Sequence, residues 1–264
     1  MSPSIDLNAD LGEEPQEETR DIALMRHISS CNIACGGHAG DAGSMTRMLR
    51  AARDADVAAG AHPSYPDRAR FGRTSLDMPL IDLIGSLVAQ VSALASVADT
   101  LAVPLAHIKP HGALYNDLAD QPEMATAVAQ ALHSAFPHLA LVGLAHGAFE
   151  QACARAGARF IAEGFVDRGY TPTRRLIPRS QPGALIASDD ARAAQALAIA
   201  TGEPLTASDG SLIHVMARSL CIHSDSPGSE QTALRIAGGM ASKGIAVRAP
   251  GELPDDPDVA DLLR

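Results

Sequence analysis

Seven short apolar runs punctuate the chain, and each gives way to a stretch with helical spacing. The runs are IDLNAD (5–10), SCNIACG (30–36), VAAGAHP (57–63), LAHIKPH (105–111), LALVGLA (139–145), RFIAEGF (159–165) and SLCIHSD (219–225). Helix-like stretches fall near 15–28, 43–56, 80–102, 121–134, 147–156, 188–200 and 228–242. A strand followed by a helix that carries the chain back across the sheet makes the next strand parallel to the first. Seven such units without a break in composition predict a closed parallel β/α barrel of seven strands; an open doubly wound sheet is the competing arrangement. At 264 residues the chain has the length for one such domain. Its expected bounds are 1–248, with an acidic, proline-rich tail at 249–264.

Composition removes several function classes. Apolar residues make up 46%, which argues against disorder. A net charge of −10 with 3% aromatics and no tryptophan argues against a nucleic-acid surface. The most apolar helical stretch, 80–103, carries Asp82, Gln90 and Asp99, so it reads as amphipathic and not as a membrane span. No basic region followed by an apolar run opens the chain, which leads to a cytoplasmic expectation. There the four cysteines, Cys31, Cys35, Cys153 and Cys221, stay reduced. Cys31 and Cys35 read as small buried strand residues ahead of metal ligands, despite His38 nearby.

Residues able to do chemistry collect after the apolar runs, at the ends where parallel α/β folds bind ligands. The first run ends in Asn8 and Asp10, followed by Glu13; the second leads to His38 and Asp41; the third to His62, Ser64 and Tyr65. The fourth gives Lys109 and His111, the sixth Glu163, Asp167 and Arg168, the seventh His223 and Asp225. In HIKPHGALYN, His107, Lys109 and His111 alternate and so share one face of a strand, which Pro110 and Gly112 then end. That basic face is expected to look into the barrel mouth. A lysine there needs an anionic partner to be buried. Asp10, His38 and His62, from adjacent strand ends, suit one divalent metal; an acid/base cluster without metal is the other reading. The turn CGGHAGD offers amides to an anion or is simply a tight turn. Two long loops interrupt the pattern, 64–79 and the arginine-rich 166–187. In the second, Arg168 and Arg179 look positioned, whereas Arg174 and Arg175 look like surface. No phosphate loop, dinucleotide fingerprint or nucleophile elbow is present.

Together, IDLNADLGE, NIACGGHAGD, GAHPSYPDR with FGR, HIKPHGALYN, DRGY, IPRSQPGALI and CIHSDSP resemble the LamB/YcsF family, the first of the three subunit types of ATP-hydrolysing 5-oxoprolinase. The match runs from residue 5 to 227 in the family's order. It departs at Ser224, where the family reads HGD, and at Gly37, where the family carries an aromatic, a change expected to loosen packing beside His38. The resemblance implies a seven-stranded barrel of the glycoside hydrolase/deacetylase type. It also implies hydrolysis of 5-oxo-L-proline to L-glutamate coupled to ATP hydrolysis with Mg2+, in a complex with two further subunits, B and C. On that reading Lys109, Arg168 and Arg179 meet phosphate, and Asp10 or Glu163 is the base toward water. His62 and His111 shuttle protons or bind a divalent metal, and Asn8, His38 and His223 contact substrate or phosphate. Two rivals stand beside it: a metal-dependent deacetylase or carbohydrate hydrolase on the same barrel, and a non-catalytic scaffold.

Overall fold

The structure is a computed structural model, and it describes residues 3–223 and 228–250. Seven parallel strands close into a barrel: β1 (Ser4–Leu11), β2 (Ser30–Ala34), β3 (Ala58–His62), β4 (Leu105–Ile108), β5 (Ala140–Leu144), β6 (Phe160–Phe165) and β9 (Ser219–Cys221). Closure comes from β9, which pairs in parallel with β6 through Glu163 and Ser219 and with β1 through Asn8 and Cys221. The expected closed seven-stranded parallel barrel is therefore what the chain forms, and the open sheet is excluded. Beyond it, β7 (Leu205–Thr206) and β8 (Leu212–Ile213) form a small antiparallel hairpin. A short β10 (Ala246–Val247) lies parallel to the start of β1.

Helices α1 (Glu18–Leu24), α2 (Ala42–Asp54), α3 (Leu80–Leu101), α4 (Gly112–Asp120), α5 (Pro122–Ala135), α6 (Ala148–Ala156), α7 (Asp189–Thr201) and α8 (Ser229–Ser242) surround the barrel. Local chemistry starts them. Asp41 caps α2 by accepting from the Ser44 amide while the Ser44 hydroxyl accepts from the Asp41 amide. Ser188 caps α7, and Pro122 opens α5, where its missing N–H costs nothing. Although α3 is long and apolar enough to cross a membrane by length and composition, it lies on the barrel. Its stripe of Leu83, Leu87, Val91, Leu94 and Ala98 recurs every three or four residues and is buried.

The alternation of β1 decides what the two faces do. Leu7, Ala9 and Leu11 join the apolar layer between barrel and helices. Burying each such leucine contributes about 1.5–3 kcal/mol. Asp6, Asn8 and Asp10, on the opposite face, are buried inside the barrel. The interior thus carries a polar stack beside a small apolar cluster of Ala140, Val142 and Ile161, and His107 lies within the barrel and not at the mouth. Strand β4 ends at Ile108, so Lys109 and His111 follow the strand, their amides still bonded to Ala61 O and Pro63 O of the neighbouring segment. Gly112, at φ +60°, follows the expected strand end and starts α4, a helix the spacing did not predict.

Candidate active site

Three polar layers stack along the barrel axis. At the base, the Asp6 carboxylate accepts from the hydroxyls of Ser29 (2.7 Å), Ser30 (2.9 Å) and Ser219. Burial outweighs those bonds and pushes its pKa up to about 6. Above it, Asn8 donates to Glu163 Oε1 (2.8 Å) and Ser219 Oγ (2.7 Å), and Asn32 donates to Asn8 Oδ1 and Asp10 Oδ1, both at 2.8 Å. His107 Nε2 meets Asn32 Oδ1 at 2.7 Å. Gly60 is what admits that ring: a Cβ there would stand 2.2 Å from His107 Nε2.

Lys109 forms the middle layer. Its ammonium reaches Glu163 Oε1 (2.8 Å), Asp10 Oδ1 (2.9 Å), Asn8 Oδ1 (3.1 Å) and Cys221 Sγ (3.2 Å). Burial favours the neutral amine, but the Asp10 and Glu163 charges overcome it and hold the lysine pKa well above its usual value. The same pairing, with His62, keeps Asp10 well below the usual carboxylate range despite its burial. Burial pushes the Cys221 thiol well up, against the pull of Lys109, so it is not a thiolate nucleophile. The Tyr115 phenol is raised first by burial and then by the neighbouring Glu163 charge. Neither the Tyr115 hydroxyl nor Glu163 Oε2 completes a hydrogen bond of normal geometry.

The mouth holds a histidine cluster. His62 Nδ1 donates to Lys109 O (2.7 Å) and His111 Nε2 donates to Phe71 O (3.0 Å). His38 stacks on His111 with ring centres 3.6 Å apart, and its Nε2 lies 3.1 Å from Glu13 Oε1. Burial lowers the His38 pKa to about 3 and lowers that of His111 as well. Glu13 is held well below its usual value; burial would raise it, but contacts with His111 and His38 prevail. Among the described residues, Glu13, His38, His62 and His111 form one group close enough together to hold a metal ion, and Asp10, Cys221 and His223 form another. Across the mouth, His223 Nδ1 donates to Asp167 at 2.9 and 3.0 Å, and its ring stacks on Phe165.

A cavity of about 530 Å³ opens above these layers, a size suited to a small molecule. Asp10, Glu13, His62, Lys109, His111, Arg168, Arg179 and His223 line it, with Arg73 and Arg175 at its rim. Several residues foreseen from the sequence do different work. Asn8 and Glu163 are buried beneath the cavity and support Lys109. Lys109 itself has its ammonium hydrogens engaged and offers charge, not a hydrogen bond, to a ligand. His38 lies behind Glu13, away from the cavity wall. Arg168 uses Nε on Ala184 O (3.1 Å) and Nη2 on Ile177 O (2.6 Å), which folds loop 166–187 over the mouth. Arg175, expected on the surface, bonds Asp120, His146 O and Ala119 O and faces the cavity. Tyr65 is turned outward to Asp117 (2.7 Å), and both backbone groups of Ser64 are bonded to Gln90 at 2.9 Å. The CGGHAGD turn is closed by the Gly36 amide donating to Ala39 O, and its Gly36 and Gly40 carbonyls accept from Arg68. Gln90 and Ser64 also fill the space beside Gly37, where a Cβ would stand 2.3 Å from Gln90 Oε1, so packing there is not loose. Ser224, Asp225 and the 251–264 tail lie outside the described residues.

Sequence reasoning named Glu13 and Asp167 at strand ends but gave neither a role. Asp6 was missed; its signal was the polar alternation of Asp6, Asn8 and Asp10 along β1.

The chain is similar to a lactam utilization protein from Thermus thermophilus at 34% identity and a TM-score of 0.85, over 93% of this chain and 99% of that one. A family 4 carbohydrate esterase from Streptomyces lividans overlaps far more loosely, at 12% identity and a TM-score of 0.48 over 93% and 91% of the two chains. The peptidoglycan deacetylase PdaC from Bacillus subtilis does likewise, at 12% and 0.47 over 99% and 93%. Likeness at that level has no bearing on chemistry. The LamB/YcsF family matches residues 5–254, nearly the whole length, and the chain belongs to that family.

Proposed function

We propose that this chain opens the ring of 5-oxo-L-proline to give L-glutamate, with ATP activating the amide and two further subunits, B and C, taking part. Family membership and the likeness to a lactam utilization protein support a lactam substrate. The observation that carries the reading is the cavity itself. A buried carboxylate–lysine–carboxylate floor and an arginine rim enclose a space of small-molecule size.

A five-membered lactam is a resonance-stabilised amide and resists water at neutral pH. Moving the ATP γ-phosphoryl group to the amide oxygen removes that resonance. Water then adds to the ring carbon, the carbon–nitrogen bond breaks with nitrogen taking a proton, and a second water releases phosphate. The site has parts for each demand. Arg73, Arg175 and Arg179 bring cations to the rim, where phosphate and the substrate carboxylate would lie. Mg2+ would accompany the nucleotide as its counter-ion. Lys109 holds the Asp10 and Glu163 carboxylates together beneath the reacting amide. His223 serves as base toward water, because Asp167 holds its Nδ1–H and leaves Nε2 to accept a proton. Asp10 is too acidic for that task, and Glu163, fully buried in the floor, is held by Lys109 and Asn8.

The test is glutamate release from 5-oxoproline by the chain with its partner subunits, with and without ATP. ATP-dependent release that His223→Asn reduces at least about 100-fold supports the reading. A metal-dependent hydrolysis without nucleotide is the second reading, favoured by the histidine cluster at the mouth. Its sign is turnover without ATP that a chelator abolishes.

A further inference from the structure

The mouth cluster turns acceptors toward one another. Carbonyl oxygens only accept, so Lys109 O and Phe71 O fix the ring protons on His62 Nδ1 and His111 Nε2. The nitrogens left bare, His62 Nε2 and His111 Nδ1, face each other at 3.0 Å. Glu13 Oε1 lies 3.2 Å from His111 Nδ1 and 3.8 Å from His62 Nε2. Three lone-pair donors thus converge without a hydrogen among them. Such an arrangement is repulsive unless something positive sits between them.

We infer that Glu13, His62 and His111 are the ligands of one divalent first-row transition ion, and that His38 orients Glu13 from behind. Bonds of 2.0–2.1 Å in a tetrahedron put neighbouring ligand atoms about 3.3 Å apart, and the observed 3.0, 3.2 and 3.8 Å span that value. Each imidazole has its second nitrogen anchored on a backbone carbonyl, the outer contact that aims a ligating ring. Two imidazoles and one carboxylate suit zinc and its neighbours; magnesium and calcium prefer all-oxygen sets. Glu13, His62 and His111 all line the cavity, so a fourth position faces the space where a ligand would enter. Asp10, expected from the sequence as a ligand with His38 and His62, gives Oδ1 to Lys109 and Asn32. It borders the site, with Oδ2 3.3 Å from His62 Nε2. A single shared proton is the rival occupant. It relieves the contact between the two rings and competes with metal for the same lone pairs.

This site stands apart from the lactam reading, and its test does not depend on turnover. Full-length protein stripped with chelator is dialysed against Zn2+ and then against metal-free buffer, and its metal content is measured. A second sample is titrated with Co2+ and read by visible absorption. About one equivalent of zinc and an intense tetrahedral cobalt band are expected. Glu13→Gln and His111→Gln should each weaken Co2+ affinity at least 100-fold, and His38→Gln about 10–100-fold. Circular dichroism of each variant checks its fold. Wild-type protein that retains no zinc and gives no cobalt band overturns the site without touching the lactam proposal. Undiminished Co2+ affinity in folded Glu13→Gln or His111→Gln overturns the ligand set. Metal bound without any glutamate release would leave the site standing and remove the lactam reading.

Discussion

Lys109 Nζ lies 2.8 Å from Glu163 Oε1 inside the barrel, with the lysine side chain 2% and the glutamate 0% exposed. An ion pair this deep recovers its desolvation cost only while every partner is present. Glu163→Gln should therefore cost about 3 kcal/mol, a fall of about 8 °C in Tm for a chain of this size. Lys109→Ala should cost at least as much, since it strands Asp10 and Glu163 together. Thermal unfolding followed by circular dichroism measures both, and a drop under about 2 °C in each would show that water reaches the floor.

Asp6 makes a pH prediction whose sign follows from its raised pKa. The folded protein holds the Asp6 proton up to about pH 6, whereas the unfolded chain releases it near 3.8. This group's stabilising contribution is full below pH 3.8, fades as pH rises toward 6, and is gone above that. The difference amounts to about 3 kcal/mol. Asp6→Asn should thus gain stability relative to wild type as pH rises from about 4 to about 6.5. Urea unfolding across that range reads it; a wild-type-minus-variant difference that stays flat with pH would mean the serine hydroxyls fully offset the burial.

Gly60 is predicted to tolerate no side chain. A Cβ at 2.2 Å from His107 Nε2 forces the ring off Asn32 Oδ1 and disturbs the layer beneath Lys109. Gly60→Ala should cost about 2 kcal/mol or more, and Gly60→Ala combined with His107→Ala should cost less than the two changes summed. Denaturant unfolding of the set tests this, with strict additivity as the contrary result.

Arg168 is predicted to secure the loop over the mouth. Lysine carries the charge but cannot fork between Ala184 O and Ile177 O. In Arg168→Lys, amides of residues 169–186 should exchange with deuterium about 10-fold faster while barrel-strand amides keep their protection. Unchanged exchange in the loop would assign its order to other contacts.

Much of this was legible in the chain because strand spacing and strand-end polarity are local signals. The seven apolar runs became the seven barrel strands, although the pattern over-extended β4 by three residues. There, Pro110 ends the ladder but Lys109 and His111 continue inward on the same side. Helix α4 was not foreseen because Gly112 reads as a breaker, and only its φ of +60° shows that it is a helix entry. The pair β7 and β8, two residues each, is too short for any periodicity. Which strand-end residues touch the cavity and which prop them from below depends on depth in the barrel. Depth is set by the register between strands, so Asn8 and Asp10 look alike in sequence yet differ in role. Arg175 looked like surface for a similar reason: its partners Asp120, Ala119 and His146 lie 29 to 56 positions away.

The most direct measurement is turnover by the chain purified with the two proposed partner subunits, with 5-oxo-L-proline and ATP supplied and glutamate, ADP and phosphate quantified. Lactam opening at this cavity predicts the three products in equal amounts, with glutamate lost in the His223→Asn and Asp167→Asn complexes. Glutamate formed at the wild-type rate by both variant complexes would place the chemistry elsewhere.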